Sequence, residues 1–258
     1  GIGLLAHTLG LILVARALGP AQFGTLTLIT TISTLGLAVS GLGGSEVLRR
    51  TVARDPAIYP RALGHALVTL LPISLGLSVL LSLGLALWLP VTSSYGSSFV
   101  VTFLLVGSNI VLFAWLGLAE QILLSFDATG AANIVNVVSG LARALAAIIA
   151  CLVFHVTSVV EWAVWHFAFY VAASAAALIP IWKYGRPTLG LLPGELGKGA
   201  TLSVTNLLMI LRQNADVLAL SLVATPAMIG VYSVARRVIG TASVLSPSFD
   251  RVVYSSLA

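Results

Sequence analysis

Four arginines stand in stretches otherwise too apolar to carry charge: Arg143, Arg212, Arg236 and Arg237. Asp216 is the acid among them, four residues after Arg212 and so on the same face of a helix. Arginine holds phosphate and carboxylate oxygens through a planar fork of N–H donors, so a set of deep arginines suits an anionic ligand. A charge at the centre of a bilayer costs about 2.5–3.5 kcal/mol on insertion scales, and each therefore needs a reason. Arg143 continues a helical face through Asn133, Asn136 and Gly140, a polar stripe that fits a water-filled cavity or a neighbouring polar helix. The alternative is an arginine bonded to carbonyls at a helix break. Arg212 and Asp216 could neutralise each other without any ligand, or Asp216 could be a coupling group whose protonation frees Arg212. Arg236 and Arg237 point about 100° apart, so one is expected to line a cavity and the other to snorkel.

Weaker polar signals lie nearby. Thr27, Thr31 and Thr34 share a face, Asn109 sits in an apolar run with Glu120 further along, and His7 and His166 are titratable groups in apolar surroundings. Hydroxyls in membrane helices usually serve close packing, and the histidines have no acidic neighbour in sequence.

These residues need elements that cross a membrane. Of 258 residues, 59% are apolar and 8% charged, with mean hydropathy +1.07. A soluble domain carries roughly 25% charged residues, so soluble enzymes, disulfide-stapled domains and disordered tails are excluded. Runs of about 20 apolar residues mark membrane helices. Eight are expected, at roughly 1–15, 22–45, 63–89, 98–120, 131–154, 160–182, 199–223 and 229–255, with Pro90–Ser98 as a polar break. The fold class is thus an all-α polytopic bundle. Basic residues gather in alternate loops: Arg49, Arg50, Arg54 and Arg61, then Lys183, Arg186 and Lys198, then Arg251, against Arg16 on the other side. By the positive-inside rule those loops and the N-terminus face the cytoplasm. The net charge of +5 reflects this bias and not a nucleic-acid surface.

An internal repeat adds organisation. Leu18-Gly-Pro-Ala-Gln-Phe-Gly-Thr-Leu26 and Ala224-Thr-Pro-Ala-Met-Ile-Gly-Val-Tyr232 share Pro, Ala and Gly at one offset of 206 residues. Each falls in an outward-facing turn between paired helices, and an even number of helices, six, separates the two copies. Transporters are often built from such repeats, with the substrate between the halves. The expected domains are a first lobe at 1–183, a linker at 184–198 and the start of a second lobe at 199–258.

The run Ala15-Arg-Ala-Leu-Gly-Pro-Ala-Gln-Phe-Gly24 resembles the polysaccharide-export flippases of the MOP superfamily. So do Leu48-Arg-Arg-Thr-Val-Ala53, Asn214-Ala-Asp-Val-Leu-Ala-Leu220 and Ile229-Gly-Val-Tyr-Ser-Val-Ala-Arg236. The resemblance implies twelve to fourteen helices in two lobes, of which about eight are present here. It also implies export of lipid-linked sugars by alternating access, and it matches Asp216 and Arg236 to family positions, which favours Arg236 over Arg237 as the residue lining the cavity. The expected substrate is an anionic polyprenyl-pyrophosphate glycan in a bacterial or archaeal cytoplasmic membrane. Membrane lipids are the surroundings, and glycan polymerases or other assembly proteins are candidate partners. The alternatives are an organic-cation antiporter of the same superfamily and a non-transporting scaffold for glycan assembly.

Several motifs fail. Gly190-Leu-Leu-Pro-Gly-Glu-Leu-Gly-Lys-Gly199 lacks the spacing and the Ser/Thr of a phosphate loop. No Ser/His/Asp set, paired His or Cys/His spacing suggests catalysis, and Cys151 stands alone. Neither an enzyme nor a cofactor or metal site is expected.

Overall fold

The computed structural model describes residues 2–89 and 98–243, and helices make up most of them. The expected break at Pro90–Ser98, Arg251 and the last part of the eighth segment thus lie wholly or mostly outside the described residues, as does the side chain of His7. The order is α1 (Ile2–Val39), α2 (Gly44–Arg54), α3 (Tyr59–Trp88), α4 (Ser98–Gly107), α5 (Phe113–Ser125), α6 (Thr129–Ile148), α7 (Val159–Ala176), α8 (Leu178–Lys183), α9 (Glu195–Ser221) and α10 (Pro226–Ser243). Among the described residues, five segments are long and apolar enough to cross a membrane: Leu9–Val39, Pro56–Trp88, Ser98–Ser125, Thr129–Val153 and Val159–Lys183. The crossings expected at 199–223 and 229–255 appear as α9 and α10, which are not among these five.

The first two expected segments are the arms of α1. Gly19 leaves helical geometry, with φ 71° and ψ 171°, just before Pro20. On a straight helix residues 10 and 34 would stand about 36 Å apart. Gly10 and Thr34 nevertheless line one cavity, so the arms fold back on each other at this kink. The segment expected to run to residue 45 ends at Val39. A turn then enters α2, a short helix where hydropathy predicts a basic loop. Its Val47, Leu48 and Val52 are buried against α3 and α5 while Arg49, Arg50 and Arg54 face outward.

α3 shows how a membrane helix inverts the soluble pattern. Ser74, Ser78 and Ser82 recur every four residues and are fully buried, whereas Leu75, Val79, Leu80, Leu83 and Leu87 are exposed. Lipid is as apolar as leucine, so burying leucine gains little, and small side chains let helices approach closely. Each hydroxyl must then find an internal partner. Ser78 donates to the Ser74 carbonyl at 2.7 Å, Ser82 to that of Ser78 at 2.5 Å, and Thr102 of α4 reaches the Ser82 carbonyl at 3.2 Å. α6 presents Ile134, Val137, Leu141, Leu145 and Ile148 outward in the same way.

Two cores hold the bundle. One joins Phe23, Ile29, Leu105, Ile110 and Trp162 toward the Gly19 end; the other joins Leu48, Tyr59, Leu63, Ile122 and Ile181 toward the basic end. α9 and α10 pack on α1, with Leu28, Val217 and Ile229 forming the seam. The stretch between α8 and α9 is fastened to the basic end. Tyr184 stacks on Phe126 with centroids 4.0 Å apart, the Thr188 amide donates to the Pro60 carbonyl at 2.9 Å, and the Leu192 amide donates to His65 Nδ1 at 3.2 Å. The linker expected over 184–198 is therefore bound to α3 as far as Leu192. Only Pro193 and Gly194 remain as the turn into α9.

Candidate functional site

A cavity of about 170 Å³ lies among both arms of α1, α6, α7, α9 and α10. Arg143, His166, Asn109, Asn214 and Arg237 supply its polar wall, together with Thr27, Thr30, Thr31 and Thr34. No carboxylate among the described residues lines it.

Arg143 is fixed by α7. Its Nε donates to the Tyr170 hydroxyl at 3.1 Å, and its guanidinium carbon lies 5.7 Å from the centre of that ring. The remaining donors of the fork stay available to a ligand. His166 sits one turn earlier on α7, between the rings of Trp162 and Tyr170 at centroid distances of 5.4 and 4.8 Å. Neither of its ring nitrogens has a hydrogen-bond partner among the described residues. A buried polar group without a partner is costly, so an imidazole in a cavity wall is poised to meet a ligand or water. Asn109 lies in a π-turn at Ser108–Leu112 that joins α4 to α5, and it donates to the Leu105 carbonyl at 2.8 Å. Such turns inside helices often coincide with functional positions.

The threonine face reads differently. Thr27 donates to the Phe23 carbonyl, Thr30 to that of Thr27 and Thr34 to that of Thr30, at 2.8–2.9 Å. Their hydrogens are engaged by α1 itself, so they offer a ligand acceptors and not donors.

Three sequence expectations are corrected here. Asp216 does not pair with Arg212. It meets Arg236 Nε of α10 at 3.0 Å and accepts from the Tyr232 hydroxyl at 2.6 Å. Spacing i,i+4 makes a pair possible on one helix but does not compete with an antiparallel neighbour that brings its own cation opposite. Second, Arg237 and not Arg236 lines the cavity. Arg236 is held by Asp216, by the Gln213 carbonyl and by Asn214 Oδ1 at 3.5 Å. Third, Arg212 is exposed and lies outside the cavity. Asn214 points inward, and two residues correspond to about 200° on a helix, so Arg212 must face the other way.

The polar stripe of α6 also divides. Arg143 reaches the cavity, but Asn133 and Asn136 are exposed and do not line it. Asn136 lies about 10 Å nearer the basic end, where it donates to Glu120 Oε1 of α5 at 2.6 Å. Sequence reasoning missed Asn214 and Tyr170 as parts of the site. No spacing rule connects Tyr170 to Arg143, and only the packing of α6 on α7 does so.

The two repeat turns meet directly. A Cβ added at Gly24 would collide with the Pro226 carbonyl, and one added at Gly230 would collide with the Pro20 carbonyl. The contact is reciprocal, each glycine lying against the proline carbonyl of the other turn. At the basic end Gly43 and Gly199 cross with similar closeness. The cavity thus lies between two tight backbone crossings. It is also smaller than a ligand pocket of roughly 300–1,000 Å³.

Because Arg212 faces away from this cavity, Arg212→Ala is expected to change the affinity for an anion bound there by less than about two-fold, within the small range usual for surface substitutions. A tenfold loss would place Arg212 in the site after all.

Fold and cavity together define an all-α, multi-pass membrane protein with a cationic internal cavity. Comparison with family models, curated proteins and solved structures found no match for this chain.

Proposed function

We propose that this protein is a flippase for an anionic lipid-linked oligosaccharide, a polyprenyl-pyrophosphate glycan, in a bacterial or archaeal cytoplasmic membrane. The observation that carries this reading is the cavity of Arg143 and Arg237 without a lining carboxylate among the described residues. Two guanidinium groups in a half-buried site favour phosphate oxygens and disfavour an organic cation. The resemblance of the chain's turns to polysaccharide-export flippases, and the reciprocal packing of those turns, support the same reading.

In this mechanism the end bearing Arg49, Arg50, Arg54, Arg61, Lys183, Arg186 and Lys198 faces the cytoplasm. The lobes are α1–α8 and a second half that begins with α9. Parting them at the basic end admits the head group, whose pyrophosphate settles on Arg143 and Arg237 while the polyprenyl tail stays in lipid. Closing there and opening at the Pro20–Gly24 and Pro226–Gly230 turns exposes the glycan outside. Asp216 neutralises Arg236 and steadies α10 against α9 during this movement. The short turn at Pro193 and Gly194 is the hinge.

The test is mass spectrometry of lipid-linked glycans in cells lacking the full-length gene. A lipid-pyrophosphate oligosaccharide is expected to accumulate while surface polysaccharide disappears. Unchanged lipid-linked pools would overturn the reading.

A further inference from the structure

A second cavity of different chemistry lies next to the arginine cavity along the bundle. Toward the basic end, the same three elements line a space of about 240 Å³. α1 passes from Thr34 to Leu37, the α4–α5 helix from Asn109 to Phe113, and α9 from Asn214 to Ile210. Each step is three or four residues, so the second cavity begins about 5 Å, one helical turn, beyond the first.

Its wall holds no lysine or arginine among the described residues. It offers Ser45 and Glu46 from the first turn of α2, Gln121 from α5 and Asn206 from α9. All four are half-buried, and among the described residues their side chains make no hydrogen bond or ion pair. Phe113 adds an aromatic ring, 37% exposed. Two carboxamides, a hydroxyl and a carboxylate form a mixed set of donors and acceptors at short range. An anion would meet Glu46, and an apolar group would leave the amides unpaired. A sugar ring satisfies both demands: its hydroxyls donate and accept, and its C–H face can rest on an aromatic ring.

We infer that this second cavity is the subsite for the first sugar of the glycolipid whose pyrophosphate rests on Arg143 and Arg237, an inference that depends on the flippase reading above. The one-turn offset places the near rim, at Leu37, Phe113 and Ile210, beside a sugar directly attached to the pyrophosphate, with Asn206 one turn and Gln121 about two turns further along their helices, toward the sugar's far edge. Substrate selection then divides in two, with the arginines recognising any polyprenyl pyrophosphate and the α2–α5–α9 wall recognising that a sugar is attached.

The experiment measures binding of two probes to the full-length protein in nanodiscs: farnesyl pyrophosphate, bare and carrying one N-acetylglucosamine. The glycosylated probe is expected to bind about tenfold more tightly, the worth of one or two added hydrogen bonds. In the Gln121→Ala/Asn206→Ala double variant this ratio falls to about one, with farnesyl pyrophosphate still bound, which also shows that the variant is folded. Glu46→Gln, a shape-preserving change, lowers the ratio less. A wild-type ratio of one, or a double variant that keeps the preference, overturns the subsite while the flippase reading stands. Failure of the wild-type protein to bind either probe overturns both.

Discussion

Arg143→Ala is expected to abolish glycolipid transport while the protein still inserts and folds. Arg143 lines the cavity and is aimed by the Tyr170 hydroxyl, 3.1 Å from its Nε, so its free N–H groups are held ready for phosphate oxygens. A hydrogen bond to a charged group contributes about 1.5–3 kcal/mol, and alanine removes at least one such bond, a loss of roughly 10–100-fold in affinity. Insertion does not suffer, because removing a buried charge saves a cost of about 2.5–3.5 kcal/mol. Arg143→Lys keeps the charge without the fork and is expected to fall between wild type and alanine. Tyr170→Phe leaves the guanidinium intact but loosens its aim, a smaller effect of the same sign. Export assays beside thermal unfolding in detergent separate these outcomes. Normal export by Arg143→Ala, at wild-type abundance, would remove the cavity from the account.

The second large effect is expected at the crossing of the two repeat turns. In Gly24→Ala the new methyl meets the Pro226 carbonyl, a backbone atom that cannot rotate aside. The turns must separate, and overpacking of this kind costs about 1–3 kcal/mol. Every 1.4 kcal/mol is tenfold in an equilibrium, so the closed form should lose between several-fold and about a hundredfold in population. A cysteine at Thr30, which lines the cavity, reports this in a background where Cys151 is replaced by alanine. Labelling by a membrane-impermeant thiol reagent from the outer side should accelerate about tenfold or more in Gly24→Ala and in Gly230→Ala, with a parallel loss of transport. Gly76→Ala is the control, since nothing lies within 4 Å of a Cβ there. Identical labelling rates in all three variants would show that the crossing does not close the cavity.

How much of this was open to sequence reasoning depends on the distance over which each interaction is set. Helices as long as a bilayer is thick announce themselves in hydropathy, and α3 to α7 lie close to where apolar runs place them. The recurrence of Pro-Ala-x-x-Gly at one offset was visible in the chain, although nothing in it says that the two copies touch. α2 was missed because eleven residues with three arginines resemble a polar loop until α3 and α5 supply a surface for Val47, Leu48 and Val52. Pairings between helices were the least legible. Periodicity puts Arg212 and Asp216 on one face of α9, but the arrival of Arg236 and Tyr232 from α10 decides which charge is neutralised. For the same reason periodicity could state that Arg236 and Arg237 diverge, and only packing could tell that Arg237 enters the cavity.

In the proposed flippase an anionic head group crosses the membrane beside Arg143 and Arg237. The most direct measurement reconstitutes the full-length protein in liposomes with a fluorescent polyprenyl-pyrophosphate oligosaccharide in the inner leaflet and follows its appearance outside. The account predicts movement well above that of protein-free liposomes, reduced to that background in the Arg143→Ala/Arg237→Ala double variant. Wild-type movement no faster than protein-free liposomes, or a double variant as fast as wild type, would contradict it.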